Sequence, residues 1–250
     1  MRHSLKEVKA ITYHKTRQPW WAVLVLDPVT AWLVWLVQEW RFVTPNRLTW
    51  LSFLIGVPGI VCFALGEKGY LFIVLGVISF QLSLLVDYAD GKLARLRQCT
   101  TKSGDILDRT LDSIEIVFFM LALIYCGYSI SGSNIYLLAG FLWFAPFTLR
   151  YLSRYYALTM GVDTRVKLTD VSVTINSRSR LIAKLESFTE RRRVYPFPAD
   201  NDIYVIVFGI APLIGHILIG IYIAAAYSWV MFIADSVLLL AKTKEVDDSE

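Results

Sequence analysis

The chain is 250 residues long, 56% hydrophobic and only 18% charged, with a net charge of +4 and a mean hydropathy of +0.51. Charged residues make up about a quarter of an ordinary soluble domain, so this balance excludes that class and points to an all-α, polytopic membrane protein. The alternating ten-residue segments of a membrane β-barrel do not occur, and Cys62, Cys99 and Cys126 lack metal or redox spacing, so they read as small buried hydrophobes.

Residues 1–18 are polar and basic and do not read as a cleavable signal. Residues 19–40, "PWWAVLVLDPVTAWLVWLVQEW", are apolar and helical in pattern, with five tryptophans and Asp27-Pro28 in the middle. Tryptophan favours the membrane interface, and an internal proline kinks or breaks a helix. The segment is therefore expected to lie along the membrane as an interfacial helix, with a full span as the alternative. Thr44-Pro45 is a helix-start signal. Six spans follow, over about 46–65, 69–96, 105–127, 133–158, 202–215 and 217–241, the last two parted by a turn at Gly215-His216. The polar stretch 159–201 contains "RSRLIAKLESFTERRRV", whose amphipathic pattern predicts a surface segment.

The expected organisation is a cytoplasmic N-terminus with its interfacial helix at 1–45, a six-helix domain at 46–241 carrying the connector 159–201, and a cytoplasmic tail at 242–250. Of the 25 lysines and arginines, only Lys68 falls on the far side of that topology. Cationic loops stay in the cytoplasm, so both termini, the connector and the segment around residues 92–109 are expected there, at a cell membrane. The basic residues face lipid on this reading, and nucleic acid is not an expected partner.

Against this pattern, "LVDYADGKLARLRQCTTKSGDILDRTLDS" holds five aspartates between apolar runs. Asp87 and Asp90 stand three apart near the end of the second span, and Asp108 and Asp112 four apart near the start of the third. Each pair shares a helical face, and the short link between the spans makes the helices antiparallel neighbours. Four carboxylates then point into one cavity at the membrane edge. Like charges in a low dielectric do not stay ionised unaided; a divalent cation removes the difficulty. An all-oxygen site without His or Cys suits Mg²⁺, Mn²⁺ or Ca²⁺ rather than zinc, and aspartate-held metals mean phosphate chemistry. Solvated helix ends would account for Asp105 and Asp108, but not for Asp87, Asp90 and Asp112 together. Gly91, Ala94 and Gly104 leave room for a nucleobase or a phosphate, or for close helix packing. Arg95 is placed to pair with a phosphate or a carboxylate.

These residues fit D-x2-D-G-x2-A-R-x8-G-x3-D-x3-D at all eight fixed positions, Asp87, Asp90, Gly91, Ala94, Arg95, Gly104, Asp108 and Asp112. The chain thereby resembles the CDP-alcohol phosphotransferase (CDP-alcohol phosphatidyltransferase) family. "TPNRLT" before the first span and six spans with cytoplasmic ends are similar to that family as well. The segment "WWAVLVLDP" resembles the N-terminus of actinobacterial and archaeal-type members, some of which use inositol phosphate as acceptor. The resemblance implies transfer of a substituted phosphoryl group from a CDP-alcohol donor to an acceptor alcohol, with release of CMP, in phospholipid biosynthesis. It implies two Mg²⁺ or Mn²⁺ ions held by Asp87, Asp90, Asp108 and Asp112, with Asp112 also the general base. It implies a nucleotide site of Asp87, Asp90, Gly91, Ala94, Arg95 and Gly104, and homodimerisation.

Asn46 either lines that pocket or only starts a helix. Arg150 and Arg154, at i,i+4 spacing, either grip an anionic group of the acceptor or reach lipid headgroups. Glu115, one turn beyond Asp112, extends the site or pairs with Arg150 or Arg109. Asp235 and His216 read as structural. Three rival classes remain. A cation-coupled transporter would place its acids at the midplane within paired repeats, and a scaffold has no use for such a cluster. A metal-dependent hydrolase of phosphate esters differs only in using water as the acceptor. Which alcohol is the lipid stays open.

Overall fold

Residues 3–13, 17–159, 189, 192–195 and 197–247 are described by the structure, a computed structural model. The connector segment 160–188 lies outside the described residues, and with it most of the stretch expected to be an amphipathic surface segment.

The described residues form helices in chain order. Helix α1 (Leu5–Thr12) opens on a capping box: Glu7 N–H donates to the Ser4 hydroxyl, and Ser4 N–H donates to the Glu7 carboxylate at 2.7 Å. That backbone bond, with the hydroxyl second, holds the Glu7 carboxyl below its ordinary range. Helix α2 (Ala22–Val37) runs straight through Asp27-Pro28. Proline lacks an N–H and clashes with the carbonyl four residues back. The chain relieves this with a π turn at Ala22–Leu26, in which Asp27 N–H bonds to the Ala22 carbonyl. The expected break is thus a widened turn within one helix.

Among the described residues, five helices are long and apolar enough to cross a membrane: α3 (Pro45–Ala64), α4 (Tyr70–Leu96), α5 (Lys102–Ser131), α6 (Ile135–Ala157, continuing to Thr159) and the apolar part Ile217–Ala241 of the last helix. The stretch expected as a fifth span forms the shorter α7. It comprises Asp200–Val205, a π turn at Ile206–Ile210 and a closing turn Ala211–Leu213 beside Pro212. Gly215, at φ 75°, makes the turn into α8 (Ile217–Asp247). Thr44 caps α3 through Arg47 N–H, and Thr101 caps α5 through Gly104 N–H. Gly132, at φ 65°, closes α5 in the left-handed conformation that glycine adopts freely. Leu54, Leu71, Phe141 and Leu240 on the spanning helices remain exposed, as lipid-facing positions do.

Helix α3 packs along both α4 and α5, and α6 packs along α8. At the centre five aromatic rings from five helices meet. Phe80 of α4 lies 5.2 Å from Phe119 of α5 and 5.1 Å from Phe208 of α7. Phe63 of α3 and Trp143 of α6 complete the group, at 5.9 Å from Phe119 and 5.7 Å from Phe208. Such edge and tilted contacts add to the stabilisation from burial. They fix α4, α5 and α7 against one another just below the polar residues at one end of the bundle.

Candidate active site

Helix α4 carries Asp87 and Asp90 at its polar end, and the antiparallel α5 carries Asp108 and Asp112. One carboxylate oxygen each from Asp87, Asp90 and Asp108 lie within 4.8 Å of one another, a spacing that suits a shared cation. Asp87 also has Asp112 and Glu115 among its charged neighbours. Asp87 Oδ1 and Asp108 Oδ1 are buried without a hydrogen-bond partner. An orphaned buried carboxylate oxygen is costly, and two of them in one all-oxygen set fit a hard divalent cation. The residues are therefore placed to hold one.

The cluster separates two cavities. The first, of about 220 Å³, is lined by Asn46, Thr49, Asp90, Gly91, Ala94, Arg95, Gly104 and Asp108, among others. A Cβ on Gly104 would come within 3.3 Å of Asn46 Oδ1 and 3.0 Å of Thr101 Oγ1, so the missing side chain keeps this wall open. Arg95 Nε is buried without a partner beside this cavity, a donor suited to an anion. The second cavity, of about 170 Å³, lies on the other side and is lined by Ser83, Asp87, Asp112, Glu115, Tyr151, Asp200, Asn201 and Tyr204, among others.

The remaining residues singled out in the sequence sit as follows. Glu115 is buried and accepts from the Ser83 hydroxyl at 2.5 Å. Its carboxylate stands close against Gly56, where a Cβ would meet Glu115 Oε1 at 2.2 Å, so this glycine lets α3 approach α5. Arg109 pairs with Asp105 at 3.1 Å. Arg150 and Arg154 line a small cavity of about 30 Å³ that shares Tyr151, Asp200 and Tyr204 with the second cavity. Arg150 Nε donates to Asp235 and its Nη1 to Asp200, both at 2.7 Å, and Arg154 reaches Asp235 at 2.7 Å.

Three features of the site escaped sequence reasoning. Thr49, one turn beyond Asn46 on α3, donates its hydroxyl to Asp90 Oδ2 at 2.5 Å. Asn201 of α7 donates to the Tyr88 hydroxyl of α4 at 2.6 Å. Lys92, inside the signature itself, is wholly buried against Asp27 at 2.7 Å. The i,i+3 spacing of Asn46 and Thr49 was the one available hint, since it puts both on the face that carries the helix-start residue.

Fold and site together define a multi-pass helical membrane protein whose carboxylates converge between two cavities. The profile of the CDP-alcohol phosphatidyltransferase family matches residues 42–241, and the chain belongs to that family. Over 141 residues it is 27% identical to human ethanolaminephosphotransferase 1, a stretch that covers 51% of this chain and 35% of that protein. Over 80 residues it is 38% identical to the bifunctional IPC transferase and DIPP synthase of Aquifex aeolicus (strain VF5), covering 32% of this chain and 17% of that one. The chain thus spans about a third or less of the length of these curated relatives.

Proposed function

We propose that this chain transfers the substituted phosphoryl group of a CDP-alcohol to the hydroxyl of a second alcohol and releases CMP, as a step of phospholipid synthesis. The observation that carries the reading is the convergence of Asp87, Asp90 and Asp108, with their orphaned oxygens, between two separate cavities. A transferase with two organic substrates needs two such spaces meeting at one reacting centre.

In this reading the first cavity takes the cytidine and diphosphate. Gly91, Ala94, Gly104 and Asn46 leave the room, and the Arg95 guanidinium pairs with phosphate oxygen. The acceptor alcohol enters the second cavity beside Asp112. Asp112 takes the proton from the acceptor hydroxyl, whose oxygen forms the new bond to phosphorus. The bond from phosphorus to the CMP oxygen breaks, and CMP leaves with the electron pair. Geometry and charge neutralisation account for most of such catalysis. Two divalent cations, Mg²⁺ or Mn²⁺, held by Asp87, Asp90, Asp108 and Asp112, would neutralise the diphosphate and stabilise the leaving oxygen. The Thr49 hydroxyl orients Asp90, and Ser83 orients Glu115 toward the acceptor side. Arg150 and Arg154, already engaged with Asp235 and Asp200, serve as a clamp among α6, α7 and α8. The one-sided distribution of Lys and Arg supports placing the site and both termini in the cytoplasm.

The test is CMP release by the purified protein in detergent across a panel of CDP-alcohols, with and without acceptor alcohols, in Mg²⁺ or EDTA. The reading expects release that needs both acceptor and metal and is lost in Asp112→Asn. Metal-dependent release that ignores the acceptor would make the protein a hydrolase, and the transferase reading would fail.

A further inference from the structure

The family match begins at residue 42, yet the segment before it is fastened to α4 and α7, two of the four helices that line the second cavity. Its middle is held by α4. Lys92, 1% exposed, lies 2.7 Å from the Asp27 carboxylate and also donates to the Asp27 carbonyl at 3.0 Å and the Thr30 hydroxyl at 2.6 Å. The Tyr13 ring stands 4.9 Å from its ammonium. Its end is held by Arg97 at the close of α4, which donates to the carbonyls of Gln38 at 3.1 Å, Trp40 at 3.0 Å and Val43. Its start is held by α7. The Asp202 carboxylate accepts from Trp20 N–H at 3.2 Å and Trp21 N–H at 2.8 Å while also capping its own helix through Ala199 N–H at 3.0 Å.

The direction of these ties matters. A helix turns by about 100° per residue, so Asp87, Asp90, Gly91, Ala94 and Arg95 share one side of α4 and Lys92 points to the other. Apart from Asp87, these residues line the first cavity, and Lys92 does not. A buried ion pair adds little stability over an apolar pair of the same shape, but it accepts few geometries. An ion pair gripping the back of α4 therefore sets how far the helix is rotated about its axis, and hence where its two aspartates aim.

We infer that residues 17–40 form a strap between α7 and α4, in which Asp27 and Lys92 are positioning residues that aim Asp87 and Asp90 at Asp108. The inference rests on the reading of the aspartates as a divalent-cation site, and the experiment separates the two. Mn²⁺ binding is measured by electron paramagnetic resonance on the full chain in detergent, for wild type, Asp27→Glu and the double variant Asp27→Leu/Lys92→Met. Asp27→Glu keeps the charge and lengthens the pair by one methylene; the double variant keeps a packed interface without the pair. Both are expected to bind Mn²⁺ about tenfold more weakly, the low end of what residues behind metal ligands contribute, while eluting as the wild type does. A merely structural pair would lower the melting temperature and leave Mn²⁺ affinity unchanged, and that result in Asp27→Glu overturns the strap. If the double variant does not fold, Asp27→Glu decides alone. A wild type that binds no Mn²⁺ would instead sink the cation reading, and the strap with it.

Discussion

The bundle holds two sets of carboxylates and treats them oppositely. Asp27 and Asp235 are buried and face cations: Lys92 at 2.7 Å in one case, Arg150 and Arg154 at 2.7 Å in the other. Asp87, Asp90, Asp108 and Asp112 face mainly one another, and two of their oxygens have no partner at all. A fold gains nothing from the second arrangement, because like charges crowded together in a partly buried site repel. The difference supports the function proposed above: paired acids fix helices in place, and on that reading the unpaired ones are there for a ligand.

Substitutions can break this comparison at either end. The largest expected effect falls on the unpaired set. Asp112→Asn should slow CMP release by about 10²–10⁴-fold, the usual worth of a positioned general base, in protein that still folds. Next comes the paired set. Arg150→Met leaves Asp235 facing only Arg154 and frees Asp200, and breaking a buried pair costs about 3–5 kcal/mol. Thermal unfolding in detergent should show a lower melting temperature, with Mn²⁺ affinity unchanged in the folded fraction. The smallest effect sharpens the boundary between the sets. Thr49→Val removes the one hydroxyl that donates to Asp90 and should weaken Mn²⁺ binding about tenfold, as for other residues that orient metal ligands. An unchanged affinity would make Thr49 a packing residue.

Much of this molecule was legible in its sequence, for identifiable reasons. Hydropathy runs gave the long helices, because lipid demands about 20 apolar residues per crossing. The aspartates were legible because their spacings match the helical period. What was hidden depends on partners far apart in the chain. Asp27 finds Lys92 across 65 residues and Arg150 finds Asp235 across 85, and no local pattern relates them. The acids that Arg150 and Arg154 pair with were hidden, because a lone helix shows its charges but not what faces them. Pro28 looked like a break because proline chemistry permits a break or a π turn, and tertiary packing chose the turn. Lys92 stood in plain view within the signature, but a lysine at a membrane edge ordinarily snorkels; its burial depends on an aspartate from a segment outside the family match.

The central claim is that the unpaired carboxylates are held together for a cation rather than for the fold. The most direct test is the melting temperature of wild type and Asp87→Asn, each in EDTA and in Mg²⁺. Removing one of four mutually repelling acids should raise the melting temperature in EDTA, and Mg²⁺ should stabilise the wild type while leaving the variant nearly unmoved. A variant that melts lower than wild type in EDTA, together with no effect of Mg²⁺ on either protein, would mean that the aspartates serve the fold, and the account would be wrong.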